Sequence, residues 1–117
     1  MIDIKGMLNE AVNSEHRESY RLVERNKSYR IGVGVELAPS GQPLFFVEII
    51  IRLFADVSKP ELDYLEKPLL FLKELKTRGY SLSYQDDSSI ACQKAIRPDD
   101  IDTECQAVKS VASRTYL

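Results

Sequence analysis

A chain of 117 residues is the size of one domain, able to bury roughly two-thirds of the surface its unfolded form exposes and too short for a second core. Hydrophobic residues at 44%, charged residues at 29%, and only five glycines and five prolines exclude a low-complexity or collagen-like chain. Sixteen basic against eighteen acidic residues leave a net charge of −2, which excludes the broad positive field that non-specific nucleic-acid binding needs.

The longest apolar run, residues 44–51, is interrupted by Glu48 and falls far short of the roughly twenty residues of a membrane-crossing helix. The first twelve residues carry Asp3, Lys5 and Glu10 where a secretory signal would have a basic segment and then an apolar one, so a cytoplasmic location is expected. Two cysteines, Cys92 and Cys105, do not make a disulfide framework.

Ile4, Met7, Leu8, Ala11 and Val12 recur at helical spacing behind Asp3, which predicts a short amphipathic helix ending near Asn13 and Ser14. Residues 15–28 read two ways. As a helix they align Arg17, Arg21 and Arg25 in one stripe; as a strand they alternate Tyr20 and Leu22 with Arg21 and Val23. A two-residue loop at Asn26 and Lys27 favours the strand, because it sets Leu22 opposite Ile31 and Tyr20 opposite Val33, both apolar pairs.

From Tyr29 to Ala38 the alternation is clean, with Tyr29, Ile31, Val33, Val35 and Leu37 on one face. Pro39, Ser40 and Gly41 suit a three-residue hairpin loop closed by glycine in the left-handed region. Pairing Ala38 with Gln42 then sets Val35 opposite Phe45, Val33 opposite Val47, Ile31 opposite Ile49 and Tyr29 opposite Ile51. On the reverse face Gly34 meets Phe46, whose ring can lie across the bare backbone, and Ile50 and Phe54 share that face.

Ser58 and Glu61 form a capping-box pattern around Pro60 and start a central helix, with Leu62, Leu65, Leu69, Leu72 and Leu75 as its core stripe. Lys73, Lys76 and Arg78 suit its last turn, Gly79 ends it, and Pro68 is expected to kink or split it. Tyr80, Leu82 and Tyr84, the turn residues Asp86 to Ser88, and Ile90, Cys92 and Ile96 predict a second hairpin. Asp99 and Asp100 lead into a terminal amphipathic helix on Ile101, Cys105, Val108, Val111 and Ala112.

The element order α-β-β-β-α-β-β-α defines an α+β class: a two-layer fold with a five-stranded, mainly antiparallel sheet of hairpin and meander units, amphipathic helices packed on one face, and residues 1–117 as a single domain. That order resembles the small type III secretion chaperones and related bacterial modules, a resemblance of element order that implies a fold and not an activity.

No catalytic, cofactor or metal motif stands out. Cys92 and Cys105 fall on core-facing stripes, where a free cysteine is a small hydrophobe, and the single His16 cannot complete a tetrahedral zinc set. Asp86 and Asp87 read as a turn. Asp99, Asp100, Asp102 and Glu104 complement a helix dipole and lack the glycine and glutamate of a calcium loop. Gly32 and Gly34 make only G-x-G, with no helix following to bind a phosphate. The basic residues between positions 17 and 30, with Tyr20 and Tyr29, carry an RNA-binding alternative that Glu15, Glu18 and Glu24 dilute.

The open face of the sheet is the surface that asks for a partner. It carries Phe46, Ile50 and Phe54 beside Arg21, Val23, Arg30, Glu48 and Arg52, more apolar than a solvated sheet face needs to be. Either the first helix covers it from within the chain or it binds protein. The expectation is a small non-enzymatic interaction module, adaptor or chaperone-like and homodimeric, using Phe46, Ile50, Phe54, Arg30 and Arg52, with no cofactor, metal, membrane or nucleic-acid partner. The alternative is a small enzyme or ligand-binding domain whose groups, such as Tyr80, Tyr84, His16 and the turn acids, meet only in three dimensions.

Overall fold

The computed structural model describes residues 1–54 and 63–117. Helix α1 (Ile4–Asn13) precedes three strands, β1 (Glu18–Arg25), β2 (Tyr29–Leu37) and β3 (Pro43–Arg52). A 3-10 turn at Asp63–Leu65 enters α2 (Glu66–Thr77), the hairpin β4 (Ser81–Gln85) and β5 (Ser89–Ala95) follows, and α3 (Ile101–Thr115) closes the fold. The five strands form one sheet in the order β1-β2-β3-β5-β4, antiparallel at every pairing, with the helices on one face. This is the expected α+β order.

The centre of the sheet follows from the alternation in β2 and β3. Ile31, Val33 and Val35 stand opposite Ile49, Val47 and Phe45, and Tyr29 stands opposite Ile51. The six aliphatic side chains among these have no exposed surface, and each is stabilised by about 1.5–3 kcal/mol relative to leaving it in water. The loop sets the register as expected: Ala38 N–H donates to the Gln42 carbonyl at 2.9 Å, and Gly41 sits at φ 90°, where only glycine is free of strain.

β1 is a strand, as the hairpin argument expects, but its register differs. The turn forms one residue later: Asn26 N–H donates to the Tyr29 carbonyl at 3.0 Å, and the Asn26 side chain accepts from the Ser28 and Tyr29 amides. The pairing then shifts between Leu22 and Glu24, with Val23 as the extra residue of a β-bulge. Glu24 stands opposite Ile31, whereas Leu22 stands opposite Gly32 and Tyr20 opposite Gly34. A one-residue slip exchanges the faces of a strand, so Tyr20 and Leu22 leave the core side and Ser19 and Arg21 occupy it. The helix layer explains the preference: the Glu10 carboxylate on α1 accepts two 2.6 Å bonds from Arg21 and one of 2.9 Å from Ser19.

α1 starts where the Asp3 carboxylate accepts from the Gly6 amide at 3.0 Å. Met7 and Ala11 are buried and Ile4 and Leu8 pack beside them, while Val12, grouped with them by spacing, is exposed. α1 lies against β1 and β2 in the same layer as the other helices, so it does not cover the open face.

The capping box at Ser58 and Glu61 lies outside the described residues, as do Pro60 and Leu62. α2 begins at Glu66, which puts Pro68 in the first turn, where a missing N–H breaks no intrahelical bond. α2 runs unbroken through Pro68 from Glu66 to Thr77, directly after the 3-10 turn. The leucine stripe is also displaced: Pro68, Phe71 and Leu75 are buried, while Leu69 and Leu70 are half exposed. Phe71 wins because its ring completes an aromatic cluster, edge-on to Tyr29 at 5.5 Å and to Tyr116 at 5.7 Å. Gly79, at φ 94°, ends the segment as expected.

In the β4–β5 hairpin the Asp86 carboxylate accepts from the Ser88 and Ser89 amides, each at 2.8 Å, which makes the acidic pair a turn device. A register shift between Leu82 and Tyr84 sends these two side chains to opposite faces, breaking their expected common alternation. Every residue of β4 is exposed. On α3 the expected stripe holds throughout, with Ile101, Cys105, Val108, Val111 and Ala112 all buried. Among the described residues no helix is long and apolar enough to cross a membrane.

Candidate functional site

The strand registers lay out the open face as rows running across the sheet. At one end Glu18 and Glu36 pair on β1 and β2, next to Leu44 on β3. The second row holds Tyr20, Gly34, Phe46 and Ala95, and the third holds Leu22, Gly32, Glu48 and Gln93. The fourth holds Arg25, Arg30, Ile50, Ala91 and Tyr84, and Arg52 with Ser89 ends the series. Apolar side chains fill the middle, glutamates mark one end and arginines the other.

Two rings floor this face. A Cβ on Gly34 would fall within the Phe46 ring, and a Cβ on Gly32 would fall on the hydroxyl end of Tyr20. The two glycines let aromatic rings from both neighbouring strands lie flat on β2, the device that shields bare strand backbone. Arg30 places its guanidinium 5.7 Å from the Tyr20 ring centre, a cation–π contact. Burial is the main reason the Tyr20 phenol is harder to ionise than usual, and the Glu48 charge adds to it while Arg30 opposes it. Glu48, in the middle of the face, accepts a 3.1 Å bond from the Gln93 amide.

Of the residues singled out in sequence, Phe46, Ile50, Arg30 and Arg52 share this face. Phe54 lies past the end of β3, half exposed, its ring 5.5 Å from that of Tyr64. Arg21 and Val23 do not belong here: Arg21 is held by Glu10, and Val23 packs against the core from the bulge. Tyr20 and Leu22 take their place, with Tyr20 37% and Leu22 50% exposed. The sequence carried one signal for Tyr20, since two bare glycines on one face call for two rings and Phe46 covers only Gly34.

A second cluster went unread. Glu104, assigned by position to the dipole of α3, is 7% exposed and faces the sheet. Its carboxylate accepts from Arg78 at 3.0 Å, from the Tyr80 hydroxyl at 2.9 Å and from Lys94 at 3.4 Å. Burial by itself would raise its pKa, but the Arg78 and Tyr80 hydrogen bonds and the Lys94 and Arg78 charges outweigh that and hold it below the usual carboxylate range. The same burial and the bond to Glu104 push the Tyr80 phenol far above its ordinary value. A buried carboxylate held by three donors is a strut between α3, β5 and the end of α2.

The groups an enzyme reading needs do not converge. Tyr80 is buried against Glu104, Tyr84 stands exposed on the β4 edge, and His16 is exposed beside β1 at the opposite edge. A cleft of about 640 Å³ opens at the glutamate end of the face between Leu44, Phe46, Ile96 and Pro98, and contains none of them. Among the described residues no three His, Cys, Asp or Glu side chains come together. Both thiols are buried, and burial, aided by the Asp102 and Glu104 charges, pushes Cys105 up to about 11.

Comparison of the chain with protein-family models, with curated proteins and with solved structures finds no match in any of the three.

Proposed function

We propose that the protein is a non-enzymatic interaction module that associates through the open face of its sheet, in the first place with a second copy of itself. The observation that carries this reading is that all three helices lie on one side, while the other side keeps Tyr20, Leu22, Phe46, Ile50 and Tyr84 without cover among the described residues. An antiparallel sheet with one solvated face normally alternates apolar and polar residues, and here the solvated face carries aromatic and aliphatic side chains at its centre.

The dimensions suit such a role. A ten-residue strand is about 33 Å long and neighbouring strands lie about 4.8 Å apart, so five strands present roughly 600 Å². A standard interface takes about 800 Å² from each partner. Light scattering on protein resolved by size is expected to give a mass that climbs with concentration towards twice the 13.3 kDa of the chain. Phe46→Lys, which sets an ammonium in the middle of the face, should return it to the single-chain mass. A parent that stays at 13.3 kDa at every concentration removes the self-association reading.

A further inference from the structure

We infer that two copies stack their open faces with strands antiparallel, so that the glutamate end of each face lies on the arginine end of the other. This rests on the self-association proposed above and adds its orientation. The face is electrically polar along its strands: Glu18 and Glu36 lie at one end, and Arg25, Arg30 and Arg52 at the other. Two other charges near the ends are already engaged. Arg97, close to the glutamate end, is 3.2 Å from Asp100, and Asp86, close to the arginine end, is bound to Ser88 and Ser89.

A two-fold interface must be self-complementary, with each contact occurring twice. A two-fold axis lying across the strands reverses their direction while setting β1 on β1 and β3 on β3. It carries Phe46 onto Ile50, so that apolar meets apolar, and sets Glu36 one strand from Arg52 and Glu18 and Glu36 one row beyond Arg25 and Arg30 of the second copy, so that charge lies beside opposite charge. An axis along the strands sets glutamate end beside glutamate end and leaves both charge groups unanswered. Opposite potentials across an interface fix its register more than its raw affinity.

The same axis passes through the middle row of the face and brings the two copies of Glu48 together. Among packings whose axis lies across the strands, this like-charge contact is a signature of the one centred on the middle row. Removing the charge should tighten the dimer, the reverse of what a substitution inside a favourable contact does.

The test is a charge swap read by light scattering and by sedimentation. Glu18→Lys with Glu36→Lys makes both ends of the face basic, and Arg25→Glu with Arg52→Glu makes both ends acidic without disturbing the Arg30 stack on Tyr20. Each double variant alone should dimerise roughly tenfold or more weakly than the parent, and an equimolar mixture should recover the double mass. Glu48→Gln should dimerise about tenfold more tightly. Thermal melts establish that each variant is folded. A parent dimer that Phe46→Lys breaks, but whose strength neither double variant nor Glu48→Gln changes, overturns this orientation and leaves the self-association standing. A parent that never dimerises removes both.

Discussion

The two faces of the sheet are made from the same strands, yet they are built on opposite terms. Under the helices, β2 and β3 bring aliphatic side chains of similar size opposite each other and leave them no exposed surface. On the open side, the alternate positions of the same two strands are Arg30, Gly32, Gly34 and Glu36 facing Ile50, Glu48, Phe46 and Leu44. The covered face is filled by volume, and the open face is flattened by removing side chains from β2 and laying rings over the gap. A flat, ring-floored face with Glu48 between its two charged ends is suited to receive another flat surface, whereas the covered face is committed.

That contrast can be broken most directly in the core. Phe71→Ala removes the ring that joins Tyr29 and Tyr116 under the helices and should cost about 3–5 kcal/mol in denaturant unfolding. Phe46→Ala, the equivalent truncation on the open face, should cost clearly less; equal losses would mean the open face is packed as a core.

Glu104→Ala is expected next, at about 2–3 kcal/mol, because it leaves Arg78, Lys94 and Tyr80 without their shared acceptor. The Glu104 pKa is depressed by folding, so its contribution is complete above the ordinary carboxylate value of 4.5 and is lost as pH falls through the lower folded value. Melting temperatures of the parent should therefore fall below about pH 4.5 by an amount that Glu104→Gln lacks. A parallel acid decline in that variant would assign the loss to other carboxylates.

Gly34→Ala sharpens the contrast at a smaller scale. The added methyl displaces the Phe46 ring and should cost about 1–2 kcal/mol in the parent, and much less in a Phe46→Ala background. Additive effects in that double-mutant cycle would mean the ring is not what occupies the space. Smallest of all should be Arg21→Ala, whose partner Glu10 lies in solvent, with an effect that fades further in high salt.

The sequence was most legible where local signals agreed. Alternation, a glycine-closed loop and apolar partners all give the same register for β2 and β3, and the stripe on α3 is regular from Ile101 to Ala112. It was least legible where tertiary packing chose between near-equal options. β1 offers apolar residues at Tyr20 and Leu22 that suit a core, but Glu10 on α1 and the two glycines of β2 favour the slipped pairing, and neither influence is local. Leu69 and Phe71 compete in the same way for the buried side of α2, and the outcome is set by Tyr116 at the far end of the chain. For the candidate site, Phe46, Ile50, Arg30 and Arg52 were readable from period two, while Tyr20 and Leu22 depended on the bulge. The Glu104 cluster was invisible because Arg78, Tyr80 and Lys94 have no sequence spacing that announces their meeting.

The bulge at Val23 also has a consequence for how the chain folds. Continuing β1 from the Glu24–Ile31 pair without it sets Leu22 against Val33 and Tyr20 against Val35, an arrangement satisfactory in itself and reachable by the hairpin before α1 docks. The early hairpin thus has two competing alignments, and the native one gains as Tyr20 settles on Gly32 and as Arg21 and Ser19 find Glu10. Weakening that docking with Glu10→Ala should slow the final folding phase, whereas deleting Val23 should close the bulge and remove the competing alignment, leaving Arg21 toward α1 and Tyr20 on the open face.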